Sequence, residues 1–359
     1  MIELTRNVDG TLRAESNGVL MIIGMGMDEY HRTAKDPEEQ FYSKTRLQAI
    51  LQADRGPEWV YNTWVKHPDA TIEDEGDRDV GDSKEAHLRV GRAIDTRLFD
   101  GTEEYAKLFV VPPETYPSPM TATECKKNMV VPGSPEAMIW KKWHTNADYC
   151  KSWEKEQYEL GKTPLSRPQA DWVERAYHSL MRHPRVAEIM ADPNWIAQVS
   201  FRWTCPFTGR KMQCRPDLVN IAERSWGDLK TTRYWLSEAY GREFFNRGYH
   251  LQAWMIDYAV SRFCGDKVES RFHIICGKQH YPQTKIWDLA PIHIDAGKDY
   301  LMRCHAEYAR CEASGKWYEV QEQPETLHVP AFIQAMHMRR EDMAKTEFYD
   351  YGATTFHND

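Results

Sequence analysis

The chain has 359 residues, of which 28% are charged and 41% hydrophobic, and its formal net charge at pH 7 is -8. This composition excludes collagen-like, low-complexity and wholly disordered proteins, and a typical domain size of ~150 residues predicts about two domains. The negative charge excludes a histone-like wrapper of DNA. Binding of nucleic acid therefore requires Lys and Arg residues that cluster locally.

The sequence also carries signals about its compartment. A run of 18 apolar residues, which a transmembrane helix requires, is absent. The opening residues, MIELTRNVDGTLRAE, are charged where a signal peptide needs an apolar run. Eight cysteines are scattered without a CxxC pair, which favours reduced thiols over a disulfide framework. The spacing of Cys304 and Cys311 fits neither a zinc nor an iron–sulfur pattern. We therefore expect a cytoplasmic protein.

The first half of the chain has mainly helical patterns. Residues 1–84 are turn-rich and acidic, which predicts an irregular and helical N-terminal lobe packed on the core. Apolar residues recur at helical spacing over 85–99, with Asp95 on or beside the apolar stripe. Two further long helices are predicted over 135–160 and 168–190, each with a proline near its first turn.

The second half changes to a period of two, which is typical of strands. Strands are predicted over residues 196–204, 212–219, 225–230, 272–276 and 286–294, the first two forming a hairpin. A helix follows the third strand, and a last helix covers 296–314. This order favours an α/β (α+β) fold with a mixed sheet flanked by helices. The predicted core is 85–335, and 336–359 form a charged C-terminal tail.

Two acidic motifs carry the chemistry: RPD at 215–217 and GDLKTT at 227–232. Residues two apart on a strand project from the same face, so Asp228 and Lys230 point together, and a paired strand brings Asp217 to the same pocket. Converging carboxylates repel unless a cation lies between them, which favours Mg²⁺ or Mn²⁺. A lysine beside that ion can orient or activate water.

This arrangement predicts metal-assisted hydrolysis of a phosphodiester. The alternative for the Asp228 and Lys230 pair alone is a solvated ion pair on a strand edge, because such pairs are common and contribute little.

In their order along the chain, these motifs resemble those of the PD-(D/E)XK nuclease superfamily, in particular the RecE-type exonucleases of the exodeoxyribonuclease VIII family. The specific features are RPD at 215–217, GDLKTT at 227–232 and YHLQ at 249–252, and RVGRAID at 89–95 resembles the first core helix. The resemblance extends over about residues 17–332. It implies a restriction-endonuclease-like core.

The resemblance also implies roles for individual residues. Asp217 and Asp228 would be metal ligands together with the backbone carbonyl of Leu229. Lys230 would position or activate the attacking water, and Gln252 would orient the lysine or the substrate.

Three positions depart from the family pattern. Asp95 stands where the family helix carries histidine, Gln198 where many members have glutamate, and Ile256 where they have tyrosine. Asp95 could replace the histidine ligand and restore the carboxylate that Gln198 removes. The altered ligands could equally weaken or abolish activity.

Basic residues near the motifs are candidates for binding DNA phosphates. They are Arg202, Lys211, Arg215 and Arg233. The resemblance implies a Mg²⁺-dependent exonuclease that degrades linear double-stranded DNA from 5′ to 3′ and leaves 3′ overhangs. It further implies a homo-oligomeric ring, a single-strand annealing partner, and a phage or prophage origin in a bacterial cytoplasm. The alternatives are a nuclease-fold protein that binds DNA or a partner without cleaving, and an endonuclease or iron–sulfur helper nuclease.

Overall fold

The computed structural model describes residues 4–31, 40–52, 55–65, 83–234 and 237–318. These residues form two five-stranded sheets flanked by helices, which confirms the predicted α/β class with a mixed sheet. Among them, no helix has both the length and the apolar character needed to cross a membrane.

The strands of the described chain are short, and most lie in the two large sheets. They are β1 (Thr5–Arg6), β2 (Leu12–Ser16), β3 (Val19–Ile23), β4 (Phe109–Val110), β5 (Thr115–Pro119), β6 (Met138–Lys142), β7 (Thr163–Pro164), β8 (Trp195–Ala197), β9 (Ser200–Thr204), β10 (Lys211–Cys214), β11 (Leu218–Asn220), β12 (Ser225–Thr232), β13 (Ser270–Gly277) and β14 (Thr284–Asp288).

The helices lie between and around these strands. They are α1 (Met27–His31), α2 (Lys44–Gln48), α3 (Gly56–Val60), α4 (Ser83–Phe99), α5 (Gly101–Leu108), α6 (Ala122–Asn128), α7 (Asp148–Glu159), α8 (Arg167–Arg182), α9 (Pro184–Ala191), α10 (Ser237–Asn246), α11 (Tyr249–Cys264) and α12 (Pro291–Ser314).

The first sheet has the order β1-β2-β3-β9-β10 and is antiparallel throughout. Three of its strands come from the N-terminal segment, which was predicted to be irregular and helical. That prediction is wrong for β2 and β3. The run Val19–Ile23 is rich in aliphatic residues, and pairing with β9 buries three of its five side chains.

The second sheet has the order β14-β13-β12-β11-β8. Its β12 and β13 are parallel, whereas its other neighbours are antiparallel. The predicted strand 225–230 is confirmed and extends to Thr232. The predicted strand 286–294 is too long, because β14 ends at Asp288 and Pro291 opens α12, where its missing N–H costs no helical hydrogen bond.

The predicted hairpin 196–204 and 212–219 is present, but both of its strands are divided between the two sheets. β8 and β11 belong to the second sheet, and β9 and β10 belong to the first. The chain crosses from one sheet to the other at Gln198, which has a positive φ of 55°, and again just before Leu218. The two sheets therefore meet at a corner formed by these two crossings.

Two predicted helices are interrupted. Residues 135–160 contain β6, paired with β5, and only Asp148–Glu159 is an α-helix. Residues 168–190 divide into α8 and α9 at Pro184, which cannot donate the hydrogen bond that a continuous helix needs.

Two buried clusters lie on opposite faces of β12. Trp226 packs with α11, α12 and the first sheet, whereas Leu229 packs with α4, α8 and the second sheet. Because side chains alternate along a strand, Asp228 and Lys230 share the Trp226 face.

All the elements named above belong to one compact unit, Met1–Trp317. The predicted boundary at 84/85 falls within α4 of this unit. The predicted tail, 336–359, and the end of the predicted core at 335 lie outside the described residues, so these domain limits stay predictions.

Candidate active site

The corner between the two sheets positions Asp217. This residue lies in the short link between β10 and β11, next to the corresponding link that contains Gln198. The backbone N–H of Gln198 donates to the carbonyl of Asp217 at 2.9 Å. Gln198 occupies the left-handed region that side chains rarely adopt, which sharply redirects the chain from β8 into β9. The two crossings are thus held together by a backbone hydrogen bond.

The Asp217 carboxylate is anchored to the edge of β12. Its Oδ2 accepts a hydrogen bond from the Leu229 N–H at 2.7 Å, and Gln198 Nε2 lies 3.5 Å from its Oδ1. The pairing of β11 with β12 runs from Asn220 opposite Ser225 to Leu218 opposite Gly227. The N–H and C=O of one strand residue point to the same edge. The Leu229 carbonyl therefore faces the edge at which Asp217 lies.

Asp228, Lys230 and Gln252 form a closed triangle of one ion pair and two hydrogen bonds. Lys230 Nζ forms an ion pair with Asp228 Oδ2 and donates to Gln252 Oε1 at 3.2 Å. Gln252 Nε2 donates to Asp228 Oδ1 at 3.0 Å. The Asp228 side chain is only 2% exposed, so its charge depends on these partners rather than on water. The amide of Gln252 fits this position because it donates to the acid and accepts from the base.

Asp95 adds a third carboxyl group. Its helix, α4, contributes Ile94 and Leu98 to the buried cluster that also contains Leu229. Burial raises the pKa of Asp95 to about 7, against the attraction of Lys230, and the negative charge of Asp228 raises it further. Burial also raises the pKa of Asp217 well above its usual range, and Asp228 and Asp95 add to this effect. Three carboxyl groups therefore lie close enough to oppose one another's ionisation.

Lys230 is the cation nearest to these groups. Burial lowers its pKa, but the charges of Asp228 and Asp217, with Tyr249 beside it, raise the pKa above the ordinary lysine value. Its ammonium group also lies 4.6 Å from the centroid of the Tyr249 ring. Lys230 is therefore a charged donor here and would need a change of surroundings to act as a base.

The donor set can be tested against a metal ion. In the described residues, no group of three or more His, Cys, Asp or Glu side chains is arranged to hold a metal directly. Mg²⁺ does not need such a group, because it usually keeps several water ligands and binds only one or two protein carboxylates. Asp217, Asp228 and the Leu229 carbonyl offer such oxygen donors, and a divalent ion would relieve the repulsion between the carboxyl groups. The residues therefore fit a hard divalent ion.

Two of the four predicted phosphate-binding residues lie near this cluster. Arg215 Nε and Nη1 are buried and have no hydrogen-bond partner within the described part of the chain. Burial lowers the pKa of Arg215, whereas the nearby Tyr30, Asp217 and Asp100 raise it. Arg233 directly follows β12 and is exposed. A buried guanidinium with unused donors is a site for an oxyanion.

The other two are directed elsewhere. Arg202 lies 3.3 Å from Gln213 Oε1, forms an ion pair with Glu29 at 3.6 Å and lies over the Phe41 ring. Lys211 opens β10 opposite Thr204, at the end of that strand away from Asp217.

Sequence reasoning missed four residues of the site: Lys44, Tyr249, Arg247 and Lys278. Lys44 belongs to α2, far from the motifs in sequence, yet its ammonium group lies 5.0 Å from the Tyr249 ring. Tyr249 opens the YHLQ motif, in which only the glutamine was assigned a role. No spacing in the sequence could have indicated Lys44, because α2 and α11 meet only through the tertiary fold.

Comparisons with known proteins give a likeness to a solved structure. No family model matches the chain, and no curated protein matches it either. A crystal structure from Eubacterium rectale described as "Putative exonuclease" aligns with a TM-score of 0.50 and 13% sequence identity, over 88% of this chain and 98% of that one. At this identity the likeness establishes a shared fold. The chain therefore has the mixed α/β fold of that Eubacterium rectale protein.

Proposed function

We propose that this protein is a metal-dependent DNA nuclease that hydrolyses phosphodiester bonds at the ends of linear double-stranded DNA. The observation that carries the proposal is the cluster of Asp95, Asp217, Asp228 and Lys230 at the corner of the two sheets, closed by Gln252. The fold shared with the Eubacterium rectale protein supports the nuclease class.

In this proposal, Asp217, Asp228 and the Leu229 carbonyl would hold Mg²⁺ or Mn²⁺, and Asp95 would be a further oxygen ligand through a bound water, since Mg²⁺ usually keeps several waters. When bound, the ion supplies positive charge to the phosphate and makes water more acidic.

The remaining steps belong to protein side chains. Lys230 donates hydrogen bonds that orient the attacking water, and Gln252 fixes the position of Lys230. The water oxygen forms a bond to phosphorus while the bond to the leaving oxygen breaks; the proton that the attacking water loses passes to solvent water, and the leaving oxygen takes up a proton from solvent. Arg215 directs unused guanidinium donors toward the phosphate.

Finer features of the proposal rest on the resemblance of RPD, GDLKTT and YHLQ to the RecE-type exonucleases. They are degradation from 5′ to 3′ with 3′ single-stranded products for recombination, a homo-oligomeric ring around DNA, and a single-strand annealing partner. A phage or prophage origin and a bacterial cytoplasmic location belong to the same proposal.

The direct test compares linear, nicked and closed circular duplex DNA, each with labelled ends or strands, in the presence of Mg²⁺ and in EDTA. We expect the wild type to degrade only linear DNA, from its 5′ ends, and only with Mg²⁺. Asp228→Asn should slow degradation by about 100-fold or more, because it removes a charge that holds the ion and pairs with Lys230. Asp299→Asn, an exposed position on α12, is the matched control.

Equal degradation by wild type and Asp228→Asn would contradict the assigned site. Cleavage of closed circles would replace the exonuclease with an endonuclease. A protein that binds DNA without degrading it is the second candidate, and Gln198 favours it, because an amide beside Asp217 supplies one fewer carboxylate than the resembling nucleases have.

A further inference from the structure

Two lysines share the ring of Tyr249. Lys230 Nζ lies 4.6 Å and Lys44 Nζ 5.0 Å from its centroid, so the aromatic ring attracts both ammonium groups. Lys230 also has Asp228 and Gln252 as partners. Lys44 has neither a carboxylate nor a hydrogen-bond partner for its ammonium group among the residues that the structure describes.

The packing of α2 holds Lys44 at this ring. Gly248, with a φ of 65°, precedes α11 at a point where a Cβ would lie 2.1 Å from Gln48 Oε1 and 3.5 Å from Lys44 Cε. The positive φ favours glycine at this position, and the side chains of Gln48 and Lys44 lie directly against it. Lys44 therefore lies at the start of α11, beside the ring that also contacts Lys230 of the triangle.

The surroundings of Lys44 disfavour a charge without an anion. Burial lowers the pKa of Lys44 to about 7, and the positive charges of Lys230 and Arg247 lower it further, against the attraction of Asp228. An anion beside Lys44 would reverse these effects by compensating its charge. An amine held in this way next to a site for phosphodiesters is suited to contact one of the anionic phosphates.

More cations continue from Lys44 along the carboxyl ends of β12 and β13. Lys278, after β13, and Arg233, after β12, have no ion-pair partner in the described residues. Burial lowers the pKa of Lys278, and Arg247 and Arg233 contribute to the decrease. Glu243 is the acid among them, and it is already bound to Arg247 and to the Thr232 hydroxyl. We call Lys44, Arg247, Lys278 and Arg233 the basic track.

We propose that the basic track binds the phosphate backbone of the substrate strand, with Lys44 in contact with a phosphate next to the one that is cleaved. This inference rests on the proposed function and adds to it the path of the DNA strand and a substrate-binding residue. The phosphate at Lys44 is either an internal phosphodiester or the terminal phosphate of the strand, which present the same anionic oxygens.

The test measures binding of a short duplex in EDTA, where no cleavage occurs, together with steady-state degradation in Mg²⁺. Lys44→Met keeps the length of the side chain and removes the charge. We expect Lys44→Met to weaken binding about tenfold and to reduce the slope of log Kd against log salt concentration by about one, because one phosphate contact is lost. In the degradation assay it should raise KM more than it lowers kcat. Lys44→Arg should restore most of the binding. Lys107→Met, which removes an exposed charge paired with Glu104 on α5, should change none of these.

Duplexes with 5′-phosphate or 5′-hydroxyl ends separate the two sources of the phosphate. If Lys44 contacts the terminal phosphate, Lys44→Met loses affinity only for the phosphorylated duplex; if it contacts an internal phosphodiester, both duplexes lose affinity equally. A folded Lys44→Met protein with the affinity and salt dependence of the wild type overturns the inference, even when the wild type degrades DNA. A wild type that neither binds nor degrades DNA overturns the proposed function as well.

Discussion

Three carboxyl groups and one lysine occupy the corner between the sheets, and their charges do not balance. Asp95 and Asp217 have raised pKa values because of burial and mutual repulsion, and Lys230 is already paired with Asp228. Hydrogen bonds from Leu229 and Gln252 compensate only part of this charge. Buried acids placed together without full compensation destabilise the free protein, and the proposed divalent ion would relieve their repulsion.

Another buried titratable residue, His305, affects stability rather than the site. Its side chain is 3% exposed and lies 3.9 Å from the Cys205 sulfur. Burial, together with the charge of Arg210, lowers the pKa of His305 to about 4. Since the unfolded histidine titrates near ~6.5, the unfolded state binds more protons between these values, and stability falls as the pH decreases through this window.

We therefore expect the neutral His305 to lower the unfolding free energy at pH 5 by about 2 kcal/mol relative to pH 7. Urea unfolding of wild type and His305→Gln at the two pH values measures the effect as the difference in their pH dependence. His178→Gln, at an exposed position on α8, is the matched control for loss of an imidazole. Identical pH dependence in wild type and His305→Gln would show that His305 is not held neutral by the fold.

The two-residue spacing of Asp228 and Lys230 was sufficient to predict that they project together, because alternation along a strand is a local property. The positions of Asp217 and Lys44 depend on contacts between distant segments. Strand pairing predicted that Asp217 reaches the same pocket, and the family resemblance of RPD implied its role as a metal ligand. Lys44 lies in the segment SKTRL at 43–47, which resembles the opening of the family, but the resemblance implied no role for it, because its contact with Tyr249 arises only in the tertiary fold.

At the scale of elements, the site depends on strands that change sheets and on the helix that covers them. The predicted pairing of the hairpin strands is correct, but each strand was predicted to be continuous. The structure divides the first strand at Gln198 and the second near Asp217. A period-two pattern continues across such a crossing, so the sequence does not reveal it. The interruption is functional in our account, because it places Asp217 at the open edge of β12.

The helix that carries Tyr249 and Gln252 is held by close packing on α12. At Gly297 a Cβ would lie 2.0 Å from the backbone carbonyl oxygen of His250, which cannot move independently of α11. We expect Gly297→Ala to reduce the unfolding free energy by about 3 kcal/mol and to lower nuclease activity by displacing Gln252. Urea denaturation and the degradation assay measure the two effects.

Gly91→Ala is the matched control on α4, because nothing lies within 4 Å of its Cβ position. Because alanine is the better helix former, the unfolding free energy of Gly91→Ala should rise by up to about 1 kcal/mol. If Gly297→Ala were as stable as Gly91→Ala, α11 and α12 would not approach each other as closely as described.

At the scale of the whole molecule, a chain with a net charge of -8 presents basic residues beside its acidic cluster. A local basic region was predicted as a requirement for binding DNA, and we propose that the basic track together with Arg215 supplies it. The fold class followed from the order of helical and strand patterns. The contribution of the N-terminal strands to the first sheet could not be predicted in this way, because pairing between distant segments leaves little local signal.

The central claim is that the carboxylate and lysine cluster hydrolyses DNA, and it is tested most directly by one measurement. This is the rate at which wild type and Lys230→Met release nucleotides from a uniformly labelled linear duplex in Mg²⁺, with Lys107→Met as the control for loss of an exposed charge. We predict that the wild type and the control release nucleotides, and that Lys230→Met releases them at least about 100-fold more slowly. Equal rates for wild type and Lys230→Met, or no release by the wild type with Mg²⁺ or Mn²⁺, would contradict it.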